Sequence, residues 1–455
     1  MPKKLSTVLG IDVGSQQIKL AEVKMQGREP AISALAIGPT PEGAVDHTGL
    51  YDSDNVAAAI KGMLTASGSS APYAVISIAG QASILVRTLE VPKMSGDELK
   101  EHMNWEISRS IPFAETTVQQ DFKAYEGGDP AATNQDVVMA VAPQSAVDTM
   151  ISVITKSGKK PFAIDVEPLA LARSTATSYG EALDNKTLCV VDIGHQSTAI
   201  NIYRNGQLLM PRVIPLGGFQ FTRAIADNMA LTEQDAEDLK KTRATIPDNA
   251  GAMPTFDPFG ATQGLSPFDP FNPDPLMGAI PTVDPNIQSI NTYNAGGSES
   301  EAFVPYSADP MAGMTPPVEE PAFEPMATQG FEAPPPVPED LTPEPATLAS
   351  ADPEADRIYR AFASVLDEFM SEVRRSVDHF RSKGGEVDQI LLCGGGSKLR
   401  GLEAFMGKVL SVPTERYDAL RRMNIVAKRL DTETIEGHRE EFAVAVGNAL
   451  HICFD

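Results

Sequence analysis

Two stretches that begin 180 residues apart follow one design. Residues 8–23 read VLGIDVGSQQIKLAEV, and residues 188–203 read LCVVDIGHQSTAINIY. Each has an apolar run, an aspartate, an apolar residue, a glycine, a few polar residues and a second apolar run. Gly14 and Gly194 let the turn bring backbone N–H groups close to an anion. Ser15, Ser197 and Thr198 add hydroxyl donors. Asp12 and Asp192 are negative and cannot hold a phosphate themselves, but they can hold a hydrated divalent cation that bridges to one. One D-x-G hairpin alone is an ordinary β-turn. Two of them, each at the head of an α/β pattern, predict two related halves facing a cleft, each offering a phosphate loop.

A third element suits that cleft. The stretch ILLCGGGSKLRG, residues 390–401, sets Gly394, Gly395 and Gly396 between a buried strand and the expected start of a helix. Three glycines allow a flat ring to lie against backbone, and a helix N-terminus beyond them would favour an anion. Read alone, the stretch is equally a tight strand–helix turn. No GxxxxGK[ST] occurs, so a P-loop is excluded, and no GxGxxG follows a strand, which argues against a dinucleotide fold.

The rest of the chain alternates strand and helix. SGDELKEHMNWEISRSIPF predicts a helix with Ser95 as N-cap, Glu98 at the capping-box spacing, and Leu99, Met103 and Ile107 as its buried stripe. Ile358, Phe362, Val365, Phe369, Val373, Val377 and Phe380 predict a long helix that ends at KGG, and REEFAVAVGNALHICF predicts an apolar helix near residue 455. One segment breaks the pattern. From Gly251 to Ser350 there is no Lys or Arg, while 20 of the 36 prolines and 14 acidic residues fall there. Proline at that density blocks helix and sheet hydrogen bonding, and few aliphatic residues remain to offset the entropy of ordering. The segment reads as a disordered acidic insert, which can be removed without loss of the fold. Phe256, Phe259, Phe268 and Phe271, in the near-repeats FDPFG and FDPFN, are its candidate docking residues.

The insert carries −14 of the chain's net charge of −24. That balance argues against nucleic acid and against an anionic membrane surface as direct partners. No run of 18 apolar residues occurs, so no membrane span is expected, and the N-terminus lacks the apolar core of a signal peptide. Cys189, Cys393 and Cys453 are an odd, scattered set, which suits a reducing cytoplasm; the first two lie in apolar runs and read as buried thiols.

The ordered set GIDVGS, VVDIGH and LLCGGGSKLRG resembles the ATPase fold shared by actin, Hsp70 chaperones, sugar kinases and FtsA. Within it the chain is most similar to the PilM family of type IV pilus assembly proteins, through WEISRSIPF (105–113) followed by DF (121–122), DVEPLALARS (165–174), IPLGGFQFTRAIA (214–226), EVRRSVDHF (372–380) and FAVAVGNAL (442–450). The resemblance implies an α/β, actin-like two-domain fold of the FtsA/PilM type with a nucleotide cleft. It places one subdomain at 5–83 and 161–187, an interaction subdomain at 84–160, a second half at 188–243 and 353–434, and a C-terminal helix at 435–455 packing back on the first. The insert, 244–352, departs from the family and enters where a small outer subdomain is expected.

The resemblance also assigns roles. Asp12, Gly14, Ser15, Gln16 and Lys19 would form the first phosphate loop, and Asp192, Gly194, His195, Ser197 and Thr198 the second. Gly217, Gly218 and Thr222 would approach the nucleotide, Glu237 and Lys240 its ribose or base, and Gly395, Gly396 and Ser397 the adenine. The implied ligands are ATP and Mg2+, the latter held through water by Asp12 and Asp192. Glu167 is the candidate for orienting the attacking water, against the simpler reading of a strand-end residue before proline. The implied partner is the N-terminal cytoplasmic tail of a PilN-like bitopic inner-membrane protein, so that membrane association is indirect. Pilus motor ATPases and a second copy of the chain are further partners the family admits. The function expected is a cytoplasmic ATP-binding scaffold of the pilus inner-membrane platform, with slow or no hydrolysis. An FtsA-like filament-forming division protein and an actin-fold kinase or ATPase are the alternatives.

Overall fold

The computed structural model describes residues 5–78, 80, 83–112, 117–125, 132–180, 185–248, 250, 352–429 and 432–454, which belong to one compact unit. The disordered insert expected from the sequence falls on residues 251–351, outside the described residues. The chain stays packed past residue 244, where the sequence places the insert's start: Ala244 and Ile246 are buried, and the Ile246 N–H donates to the Arg400 carbonyl at 2.8 Å.

Three sheets organise the described residues. The first holds β1 (Thr7–Val13), β2 (Gln17–Gln26), β3 (Glu29–Pro39), β4 (Tyr73–Ser77), β8 (Lys160–Asp165) and the short β14 (Asn424–Ile425), with α1 (Ser53–Ser67) between β3 and β4. Its order is β14-β3-β2-β1-β4-β8. The seven residues of β1 are nearly all buried, as its run of apolar side chains requires of a central strand. A small antiparallel sheet, ordered β5-β7-β6, is spliced between β4 and β8. It comprises β5 (Leu85–Pro92), β6 (Val118–Ala124) and β7 (Asn134–Pro143), with α2 (Gly96–Ser110) and α3 (Gln144–Lys156). The Ser95–Glu98 capping box forms as expected, and Leu99, Met103 and Ile107 of α2 pack on Val137, Met139 and Val141 of β7.

Helix α4 (Glu167–Tyr179) leads from the first sheet to the second. That sheet is ordered β11-β10-β9-β12-β13, from β9 (Thr187–Ile193), β10 (Thr198–Arg204), β11 (Gln207–Ile214), β12 (Gln389–Cys393) and β13 (Thr414–Arg416). Helices α5 (Gly218–Met229), α6 (Glu233–Arg243), the 30-residue α7 (Pro353–Ser382) and α8 (Leu402–Leu410) accompany it. Phe362 and Phe369 of α7 meet Phe221 of α5. Leu366 is fully buried, while its neighbour Val365, assigned to the stripe from the sequence, is only half-buried; over thirty residues the drift of a 3.6-residue period selects the adjacent position.

The end of the chain returns to the beginning through α9 (Thr432–Glu436), α10 (Ala443–Ala449) and α11 (His451–Phe454). The single apolar helix expected there is instead a 3-10 turn at Arg439–Phe442 followed by two short helices. Helix α10 lies against β1 and α4 with almost no side chain between. A Cβ on Gly10 would stand 1.9 Å from the Ala445 carbonyl oxygen, and one on Gly447 equally close to that of Ala170. Asn448, fully buried, donates through Nδ2 to the Ile11 carbonyl at 2.8 Å and accepts from Ser77 Oγ at 2.9 Å.

Candidate functional site

The two D-x-G stretches fold into hairpins of identical register. Asp12 lies opposite Lys19 in the first and Asp192 opposite Ala199 in the second. The Gly14 N–H donates to the Gln17 carbonyl at 3.0 Å, and the Gly194 N–H to the Ser197 carbonyl at 2.9 Å. Ser15, His195 and Ser197 are partly exposed in these loops and Gln16 is exposed. Thr198 is different: it is fully buried and its hydroxyl donates to the Leu216 carbonyl at 2.6 Å.

The aspartates belong to one charge cluster. Lys19 Nζ stands 3.2 Å from Asp12 Oδ2. Burial would pull the Lys19 ammonium down, but Asp12, Glu441 and Asp192 outweigh it and hold Lys19 above its usual range. Burial, helped by Asp12, pushes Asp192 up to about 6. Glu167, which opens α4 rather than ending a strand, is pushed up to about 8 by burial and by the same two aspartates. Glu167 therefore carries a proton at neutral pH and releases it only when the surrounding negative charge is offset.

The third loop abuts the second. Gly394 has φ +77°, and a Cβ there would fall 2.4 Å from Asp192 Oδ1, so only glycine lets this strand end approach the aspartate. No α-helix follows directly, contrary to expectation. A four-residue 3-10 turn, Gly395–Lys398, intervenes and α8 begins at Leu402, so a helix dipole does not reach this loop. Ser397 is buried, its hydroxyl donating to the Gly394 carbonyl at 2.7 Å.

The remaining candidates flank the second loop. The first N–H groups of α5 are spent on it, Gly218 donating to the Gly194 carbonyl at 2.9 Å and Phe219 to that of His195 at 2.7 Å. The Gly217 N–H is taken by Gln220 Oε1 at 2.8 Å. Glu237 and Lys240 form an ion pair at 2.7 Å. Lys240 also donates to the Gly218 carbonyl at 2.8 Å and to Thr222 Oγ1 at 2.7 Å, and the Thr222 hydroxyl bonds Glu237. Lys240, Lys241 and the Thr222 hydrogen bond overcome burial and hold Glu237 at about 2.

Two participants were not singled out from the sequence. Glu441, carried by the 3-10 turn before α10, presses on the charge of both Lys19 and Asp192. The loop after β3 touches both hairpins: the Thr40 hydroxyl donates to the Gly14 carbonyl at 2.6 Å, and the His47 N–H to Gln196 Oε1 at 2.8 Å. A regular pattern marks neither, because each becomes part of the cleft only when distant segments meet. The donor set suits a hard divalent cation, since carboxylate oxygens of Asp12 and Asp192 converge from two sheets. Among the described residues no three His, Cys, Asp or Glu side chains close on one point as direct metal ligands.

Comparison with known proteins gives this arrangement a context. The family model for the type IV pilus assembly protein PilM matches residues 10–262, and that for the cell division protein FtsA matches residues 189–447. Among solved structures, the PilM-PilN type IV pilus biogenesis complex aligns over 99% of this chain and 99% of its own, with TM-score 0.67 and 24% identity, which shows the actin-like α/β fold. FtsA of Bacillus subtilis (strain 168) is 34% identical over 98 residues, 22% of each chain. FtsA of Porphyromonas gingivalis (strain ATCC BAA-308 / W83) is 36% identical over 98 residues, 21% of this chain and 19% of its own. The chain thus spans about a fifth of the length of these curated relatives. Among the described residues no helix is long and apolar enough to cross a membrane.

Proposed function

This chain belongs to the PilM family of type IV pilus assembly proteins, and from that membership we propose that it is an ATP-binding scaffold of the pilus inner-membrane platform. Its partner is the N-terminal cytoplasmic tail of a PilN-like membrane protein, which holds it at the membrane from the cytoplasmic side. The observation that carries the nucleotide reading is the pair of hairpins in identical register, whose aspartates, with Lys19 and Glu167, form one charge cluster.

In this reading Asp12 and Asp192 hold Mg2+ through its water shell, and Lys19 turns from Asp12 to the phosphates. The Gly14 and Gly194 N–H groups close the hairpins, so it is the remaining N–H groups of the two loops that would face the phosphate chain. The third glycine loop backs the base, and Glu237 and Lys240, locked together beside Thr222, form the wall near the ribose. Mg2+ supplies charge neutralisation of the phosphate oxygens. Glu167 is the residue placed to orient a water. Its carboxyl, held neutral by burial and the two aspartates, would become available as a base only once Mg2+ offsets their charge.

The experiment is direct. The purified protein is titrated calorimetrically with MgATP, then with a synthetic peptide of the PilN-like tail. Micromolar or tighter MgATP binding, followed by saturable peptide binding, is the expected result. Absence of nucleotide binding would end the ATP reading, and absence of peptide binding the partner reading. The FtsA match over residues 189–447 favours one second reading, polymerisation, which sedimentation in MgATP would reveal.

A further inference from the structure

Beside the third glycine loop stands a compact ionic cluster that the nucleotide reading does not use. Lys398, last residue of the 3-10 turn after β12, pairs with Glu441 and lies 3.7 Å from Glu440. His438 Nδ1 sits between them, 2.6 Å from Glu441 Oε1 and 2.8 Å from Lys398 Nζ. The Glu441 side chain is only 4% exposed. The backbone follows the same path, the Gly394 N–H donating to the Glu440 carbonyl at 3.2 Å. A Cβ on Gly395 would meet Glu441 Oε2 at 3.4 Å, so the carboxylate lies directly against the loop.

The two ends of this cluster belong to different parts of the molecule. Lys398 continues from β12 of the second sheet, whereas Glu441 leads into α10, which packs on β1 of the first sheet and on α4. We propose that Lys398 and Glu441, steadied by His438, are positioning residues that fix the third glycine loop to helix α10 and so set the seat of the nucleotide base. The inference rests on the nucleotide reading above and adds to it a residue pair that touches the loop rather than the ligand. Without Lys398 the buried Glu441 carboxylate loses its closest ammonium and keeps only His438 and the charge of Lys19, so its hold weakens and the loop it braces is free to shift from Asp192.

The test uses the full chain. Glu441→Gln, Lys398→Met and the double variant are titrated with MgADP and, as a base-free probe, with magnesium pyrophosphate in competition with a fluorescent ADP. Lys398 is a third exposed, so its variant folds even where Glu441→Gln does not, and unfolding midpoints are recorded for all. The expected result is MgADP binding weakened about tenfold by each single variant, no further loss in the double variant, and, for Lys398→Met, which leaves the charges around Lys19 and Asp192 in place, pyrophosphate affinity within about twofold of the unmodified chain. Unchanged MgADP affinity would overturn the inference, as would additive losses or, in Lys398→Met, equal losses for both probes. Failure of the unmodified chain to bind MgADP would remove the nucleotide reading, and this inference with it.

Discussion

Lys19 stands 3.2 Å from Asp12 across the first hairpin, while the matching position opposite Asp192 in the second hairpin is Ala199. Two loops of the same register thus differ by one charge. That difference gives the cradle a direction: one aspartate is already paired with an ammonium, and the carboxyl of the other is pushed up to about 6 by burial.

Asp12→Ala removes a cation anchor and frees Lys19. MgATP affinity should fall about 10- to 100-fold, the usual cost of losing a group that orients a bound metal. Calorimetric titration of the variant checks it, and an unchanged affinity would mean that this loop is not the site.

Glu167→Gln keeps this position neutral even when a cation offsets the two aspartates that help hold the proton on Glu167. MgATP affinity should stay within about threefold of the unmodified chain, while residual phosphate release drops about tenfold or more. A variant that hydrolyses ATP at the original rate would exclude Glu167 from the chemistry.

Glu237 is held at about 2 against an ordinary 4.5. A depressed carboxyl stabilises the fold above its unfolded value, and the contribution is lost as pH falls from 4.5 toward 2. The stake is at most about 3 kcal/mol, reduced because burial draws the Lys240 ammonium below its usual range in spite of its partner. Urea midpoints for the unmodified chain and Glu237→Gln should converge as the solution is acidified through that window. Parallel curves would sink the idea.

Gly447→Ala would drive a methyl group into the Ala170 carbonyl. The crossing of α10 and α4 has backbone on both sides and nothing flexible to yield, so the cost should be about 3 kcal/mol or more. Thermal unfolding measures it; a midpoint equal to the original would show that the two helices separate easily.

Much of the cleft was legible because its loops are local. A strand, an aspartate and a glycine predict a hairpin wherever they occur, and the second copy turned a common turn into a pair. The errors came where local pattern gives way to packing. After GGGS the chain reads as a helix start, yet Gly401, at φ +83°, delays α8 and a 3-10 turn forms instead. Thr198 looks like a phosphate donor until the Leu216 carbonyl, 18 residues on, claims its hydroxyl. Glu441 sits in an unremarkable REEF and becomes a cleft residue only because α10 folds back on β1. The packing of α10 on α4 and on β1 depends on Gly447 and Gly10, with no turn to mark them.

Asn448 bonds Ile11 across 437 residues of chain and Ser77 across 371. During synthesis the first sheet emerges early, but its central strand must wait for Asn448 to be made before Ile11 and Ser77 are satisfied. N-terminal segments generally fold first as they emerge; here the first sheet stays open until α10 has been made. Premature termination would therefore leave a sheet with an exposed apolar face and unmatched polar groups, a product that cellular proteases can tell from the finished protein.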